Sequence, residues 1–163
     1  MLGSCIAVAM FDPIRKIGGM NHFMLPFTIN EECFYLSKSG KYGMYAMELL
    51  INELLKLGAA RSVIKAKVFG GGNVLQNVKD FSGSVPENNI KFALEYLNAE
   101  GIPIVAQDVG GTEARRVFFF TDTAKIRLKR ISRTLVQPLE SDELEYLQKI
   151  RREKAAAGKV TLF

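Results

Sequence analysis

The chain contains one histidine, His22, and two cysteines, Cys5 and Cys33, so any imidazole-dependent chemistry has to use His22. A thiol in solution is only a few per cent thiolate at neutral pH, and a nucleophilic cysteine therefore wants a neighbouring base to take its proton. In acyl transfer from an amide, that base would protonate the departing amine and then activate water against the thioester. Gly3 and Ser4 lie directly before Cys5 and permit close backbone approach, and N–H groups around the nucleophile would supply an oxyanion hole. The plain alternative is a small buried cysteine beside a hydrogen-bonded histidine, with no chemistry at all.

The elements around these residues place them near each other. Cys5 to Phe11 is a continuous apolar run of strand length, Asp12-Pro13 is a turn signal, and Ile17 to Leu25 is apolar again up to Pro26. These features predict a hairpin. With the turn centred between Pro13 and Ile14, Phe11 faces Lys16 and Cys5 faces His22, with opposed Cβ atoms about 4.5–5.5 Å apart. A bulge at Gly18-Gly19 would shift that count, and a slip of one residue would turn a side chain to the other face.

Other clusters are weaker. Cys5, Asp12, His22 and Cys33 match no zinc spacing, and no metal is expected. Gly70-Gly71-Gly72-Asn73 follows a strand and resembles a phosphate-cradling turn. It lacks the lysine and hydroxyl of a P-loop, so a tight turn or close backbone approach is the expected use. Arg115-Arg116, after Gly110-Gly111, is placed either to grip a carboxylate or on a solvated strand edge.

The 163 residues, 48% of them apolar, suffice for one domain with a real core. No run approaches the roughly 20 apolar residues of a membrane-spanning helix, and no membrane insertion is expected. The first residues show no secretory signal, so a cytoplasmic location is expected, with both cysteines as thiols. The 22 Lys and Arg exceed 17 Asp and Glu, a net charge of +5 that mildly favours anionic partners. An aromatic-basic motif for nucleic acid is not evident in the sequence, and no nucleic-acid partner is expected.

Residues 27–41 read as a long loop that borders the site. Tyr42, Ala46, Met47, Leu50, Ile51, Leu54 and Leu55 recur at helical spacing, and Gly58 supplies a left-handed cap. Ser62 to Phe69 is a predicted strand. A second helix from Pro86 or Asn88 to Glu100 carries Ile90, Phe92, Ala93, Leu94, Tyr96 and Leu97. Ile102 to Ala106 is strand-like. Gln107 to Gly111 forms a polar, glycine-rich corner, and Arg116 to Phe120 and Lys125 to Ile131 are two strands joined by a short turn. A helix from Ser141 to Gly158 ends the chain. The expectation is a sheet faced by helices, of α/β or α+β type.

Taken together, Leu2-Gly3-Ser4-Cys5, Asp12-Pro13, Gly18 to Pro26, Gly70-Gly71 and Asp108-Val109-Gly110-Gly111 with Arg115-Arg116 resemble the CheD family, chemoreceptor glutamine deamidases of bacterial chemotaxis. Lys41-Tyr42 at the first helix and Asn89 at the second fit the same order. The resemblance implies a single-domain α/β (α+β) sandwich akin to the catalytic domain of the cytotoxic necrotizing factor toxins, over residues 1–134, with residues 135–163 as a helical extension. It also implies Cys5 as nucleophile and His22 as general base. Gly3, Ser4, Asn21, Gly70 and Gly71 then line the site or its oxyanion hole, Asp108, Arg115 and Arg116 contact substrate or partner, and no cofactor is required. The implied reaction is conversion of receptor glutamine to glutamate with release of ammonia; methyl-ester hydrolysis at the same positions is the chemically easier companion. The implied partners are methyl-accepting chemoreceptors as substrate and the phosphatase CheC as regulator. The alternative reading is a non-catalytic module that regulates CheC or receptor arrays. A family threonine ahead of the cysteine has no counterpart, because this sequence begins only four residues before Cys5. A start farther upstream, which would restore that threonine and an opening strand, is the expectation.

Overall fold

In a computed structural model the described residues are 1–25, 38–74 and 85–131, with the single helical positions Glu145 and Gln148. They form strands β1 (Ile6–Asp12), β2 (Ile17–Phe23), β3 (Lys65–Gly70), β4 (Ile104–Val109), β5 (Ala114–Phe120) and β6 (Lys125–Ile131), and helices α1 (Lys38–Lys56) and α2 (Val85–Ala99). The loop expected at residues 27–41 lies mostly outside the described residues, though α1 already begins at Lys38 rather than Tyr42. The C-terminal helix and the boundary at residue 134 also lie outside them, apart from those two helical positions.

A four-stranded sheet runs in the order β2-β1-β3-β4, and β5 and β6 pair as a separate two-stranded ribbon. β1 is antiparallel to both neighbours, while β3 and β4 are parallel, the pairing that needs a long crossover such as the one containing α2. One face of the sheet packs on the helices. Ile6, Val8 and Met10 of β1 and Ala66 and Val68 of β3 meet Met47, Ile51 and Leu54 of α1 and Phe92, Ala93 and Leu97 of α2. Phe23 packs edge-on against Phe92 with ring centroids 5.6 Å apart. The other face meets the ribbon, where Leu2, Ala7 and Phe69 touch Val117, Ile126 and Leu128. The result is the expected α+β sandwich.

Every residue of β1 is buried because both faces are covered, which is why its sequence is a continuous apolar run and not an alternation. Tyr42 and Leu55, which the helical period assigned to the core, lie on the exposed side of α1. The strand expected from Ser62 starts later. Residues Arg61–Val63 make a 3-10 turn, closed by the Val63 and Ile64 N–H groups donating to Ala60 and Arg61, and the ladder begins at Lys65. β4 likewise begins past Pro103, which has no N–H to give, and extends through Asp108, so the polar corner is shorter than its composition implied. No helix among the described residues is long and apolar enough to cross a membrane.

The β1–β2 loop holds four residues, Pro13 to Lys16, and its centre lies between Ile14 and Arg15, one position past the expected one. Asp12 pairs with Ile17, and one Asp12 carboxylate oxygen accepts the N–H groups of Ile14 at 2.8 Å and Arg15 at 2.9 Å. The other accepts the Ala60 N–H at 2.9 Å and tethers the loop to the end of α1. These donors, Ala60 first and then Arg15, hold the Asp12 carboxyl down at about 2, against an ordinary 3.8. The folded state thus favours the ionised form, and the stability this contributes is present above the unfolded pKa and lost as pH falls through about 4 to about 2. Asp12→Asn, which turns a donor toward the Ala60 N–H, is expected to lower the urea midpoint at neutral pH. It should also flatten the acid-side decline over that window, as read from urea titrations at a series of pH values.

Candidate active site

The four residues Leu2 to Cys5 lead into β1 and are held by three different parts of the fold. Leu2 exchanges two backbone hydrogen bonds with Arg115 of β5, at 2.7 and 2.8 Å. The Gly3 carbonyl accepts the Gly72 N–H at 2.7 Å, and the Cys5 carbonyl accepts the Gly71 N–H at 2.7 Å. The Ser4 carbonyl accepts the Asn89 Nδ2–H at 2.9 Å. All four carbonyls therefore have donors, and the position of Cys5 is fixed by its backbone.

The glycine corner exists for this approach. Gly70 has φ +114, and a Cβ there would sit 2.3 Å from the Cys5 carbonyl oxygen. Gly71 has φ +63, with Ile90 against it. Because the Gly71 and Gly72 N–H groups are spent on Cys5 and Gly3, the corner is a backbone clamp and not a phosphate cradle. Gly70 and Gly71 lie against the Cys5 carbonyl, which they support.

Arg115 closes the same corner from beneath. It is 1% exposed, and its guanidinium donates to the Gly70 carbonyl at 2.7 Å and to the Gly110 carbonyl. Its Nε lies 2.6 Å from Asp108, an ion-pair contact. Burial pulls the Arg115 pKa down and the Asp108 charge opposes that shift. Asp108 also meets Arg130 at 2.7 Å. Of the residues expected as substrate or partner contacts, Asp108 and Arg115 are ion-paired with each other, Arg115 also holds the glycine corner, and Arg116 next door is exposed on the ribbon.

His22 reaches the site along the hairpin. The observed register places it opposite Ala7, and Cys5 lies two residues before Ala7, just ahead of β1. The expected direct pairing is displaced by two because the turn is centred one position later than its Asp-Pro signal implies. A shift of two keeps the face, unlike a shift of one. Cys5 and His22 are diagonally related on the ribbon side of the sheet, and diagonal neighbours lie within reach of a long or aromatic side chain. Cys5 is half-buried where two small apolar clusters meet, one with Leu2, Ala7 and Phe69 and the other with Met24, Val74, Val85, Ala114 and Ile131. His22 is exposed. Asn21, expected to line the site, is turned to the opposite face, where its Nδ2 donates to the Ala46 carbonyl of α1 at 2.8 Å. The Ser4 hydroxyl is buried and contacts the Met24 sulfur at 3.1 Å. Among the described residues no three His, Cys, Asp or Glu converge as metal ligands; Cys33 lies outside them.

Sequence reasoning passed over Asn89, read only as part of the start of a helix. It is fully buried, and besides holding Ser4 it accepts the Leu25 N–H at 2.7 Å. One amide side chain thus ties the residue before Cys5 to the segment just beyond His22. An asparagine in the first turns of a helix is an ordinary capping residue, which hides such a role.

Residues 24–130 match the CheD family, described as CheD chemotactic sensory transduction. The chain is 42% identical over 163 residues to a protein of Shewanella oneidensis named probable chemoreceptor glutamine deamidase CheD 1, covering all of this chain and 78% of that relative. It is also 42% identical over its full length to a probable chemoreceptor glutamine deamidase CheD of Thiobacillus denitrificans, of which it covers 79%. A like-named protein of Stenotrophomonas maltophilia is 48% identical over 130 residues, 80% of this chain and 63% of the relative. The chain belongs to the CheD family. The family match starts at Met24, whereas the full-length alignments also span Cys5 and His22.

Two substitutions test the clamp. Gly70→Ala must clash with the Cys5 carbonyl and adopt a backbone conformation that L-residues avoid, and should cost more than about 2 kcal/mol in urea unfolding. Asn89→Ala leaves the buried Ser4 carbonyl and Leu25 N–H without this partner and should cost about 2–4 kcal/mol by the same measurement.

Proposed function

We propose that this protein is a chemoreceptor glutamine deamidase acting in chemotaxis, with Cys5 as nucleophile and His22 as its base. The observation that carries the reading is the placing of Cys5, clamped by its backbone, and His22 on one face of one hairpin in a chain of the CheD family. Relatives over the full length of the chain bear the deamidase name.

In the proposed reaction the Cys5 thiol gives its proton to His22 and its sulfur adds to the carboxamide carbon of a glutamine side chain. The tetrahedral oxyanion collapses, the C–N bond breaks, and the imidazolium protonates the leaving nitrogen so that ammonia departs. Water, deprotonated by the neutral imidazole, then adds to the thioester, the C–S bond breaks and the thiol regains its proton. The product is glutamate. The clamp holds the Cys5 main chain in place, so the backbone that carries the thiol needs no reorganisation on attack. The exposed imidazole is free to swing across the diagonal when substrate binds, and catalytic contacts are often looser before that point. Methyl esters have a better leaving group and fit the same scheme.

Each conversion adds about one dalton and one negative charge at neutral pH, so mass spectrometry of a receptor cytoplasmic fragment reads it directly. Cys5→Ala is expected to abolish conversion with the fold intact by circular dichroism, and His22→Ala to slow it by about 100-fold or more. Unchanged ammonia release from Cys5→Ala overturns the assignment. If that variant also supports normal chemotaxis, the chain is a binding module acting on receptor arrays or on a CheC phosphatase.

A further inference from the structure

The outer face of the β5–β6 ribbon is not used by the chemistry above. Alternate residues of β5 point outward as Arg116, Phe118 and Phe120, and their partners across the ladder are Lys129, Arg127 and Lys125. Four cations and two phenylalanines occupy these six positions with no acid among them, and all six are exposed. Phe118 is 53% and Phe120 42% exposed. The inward alternates Val117, Ile126 and Leu128 pack on the sheet. None of the four cations has a carboxylate partner among the described residues, whereas Arg115 and Arg130 of the same ribbon are paired with Asp108.

This arrangement works against the fold. Arg116 lies directly opposite Lys129, and like charges so placed repel, while two open phenylalanines keep apolar surface in water. An anionic partner with apolar surface relieves both costs. Successive cations on β6 are about 6.7 Å apart along the strand, close to the rise of about 6 Å between helix positions i and i+4. A helix with acidic residues at that spacing beside an apolar stripe can lie along the ribbon, acids over β6 and apolar side chains over Phe118 and Phe120. Nucleic acid fits less well, because stacking needs open rings and the Arg127 guanidinium already sits 5.5 Å from the centroid of Phe120. The face also leads to the site. Its next pair, Ala114 and Ile131, packs in the cluster that Cys5 touches.

We propose that the outer face of the β5–β6 ribbon is the docking surface for an acidic amphipathic helix of the protein substrate, aligned so that a glutamine farther along the helix reaches Cys5. The proposal rests on the deamidase reading for the identity of that helix, and its test does not require turnover.

The test uses the full chain carrying Cys5→Ala and a fluorescently labelled helical peptide with glutamates at i, i+4 and i+8 beside a leucine stripe. Fluorescence anisotropy gives its affinity. Adding Arg127→Glu and Lys129→Glu, both exposed, is expected to weaken binding by about tenfold or more and to remove its salt dependence. Phe118→Ser is expected to weaken binding with the salt dependence retained. Thermal unfolding confirms that each variant is folded. Affinity unchanged by the charge reversal overturns the proposal. So does loss of binding to a labelled single-stranded oligonucleotide with peptide binding intact, which marks a nucleic-acid surface. A wild-type chain that binds the helix through this face and converts no glutamine supports the surface and removes the deamidase reading.

Discussion

The structure depends on the backbone clamp that holds Leu2 to Cys5. Four consecutive carbonyls receive donors from β5, from the glycine corner after β3 and from a side chain of α2. A lead-in segment with its polar groups so matched cannot slide, because each slip strands buried carbonyls at about 1–3 kcal/mol apiece. The demands on other residues follow from this. Gly70 must lack a Cβ, Arg115 must fill the space beneath with its guanidinium, and Asn89 must stand buried within a helix.

The clamp also explains why so much polarity is tolerated in the interior. Arg115 and Asn89 are among the least exposed of the described residues, and both are bonded to the main chain. Each satisfies backbone groups that the glycine corner and the ends of two strands leave without sheet partners. A buried arginine bonded to main-chain carbonyls and to Asp108 is expensive to desolvate, and the network is favourable only as a whole.

The sequence made the local elements legible and left the long-range bonds dark. The apolar run of β1, the helical periods of α1 and α2 and the alternation in β5 and β6 identified each element because periodicity reports which side is covered. The hairpin register was misjudged by two positions because Asp12 accepts two N–H groups within its own loop, lengthening the turn in a way composition does not announce. Parity preserved the facing of Cys5 and His22 all the same. Asn21 was turned to the wrong side by proximity in sequence to His22, although strand alternation alone separates the two. Arg115 resembled a ligand-gripping arginine because nothing local shows that Gly70 and Gly110 will present their carbonyls to it. The basic and aromatic face of the ribbon was likewise scattered along the chain and became a surface only through cross-strand pairing.

The clamp joins parts of the chain that are far apart, with Asn89 and Ser4 separated by 85 positions. Contacts of that range carry a loop-closure cost that has to be met before they contribute. The surroundings of the thiol therefore require the tertiary fold, and no local fragment builds them. A nascent or partly unfolded chain can form the β1–β2 hairpin, but it carries Cys5 on a loose tether until Gly71, Gly72 and Asn89 arrive to hold residues 3 to 5. The placing of Cys5 and the completion of the fold are thus a single event, and a half-made molecule does not hold the thiol in its native surroundings.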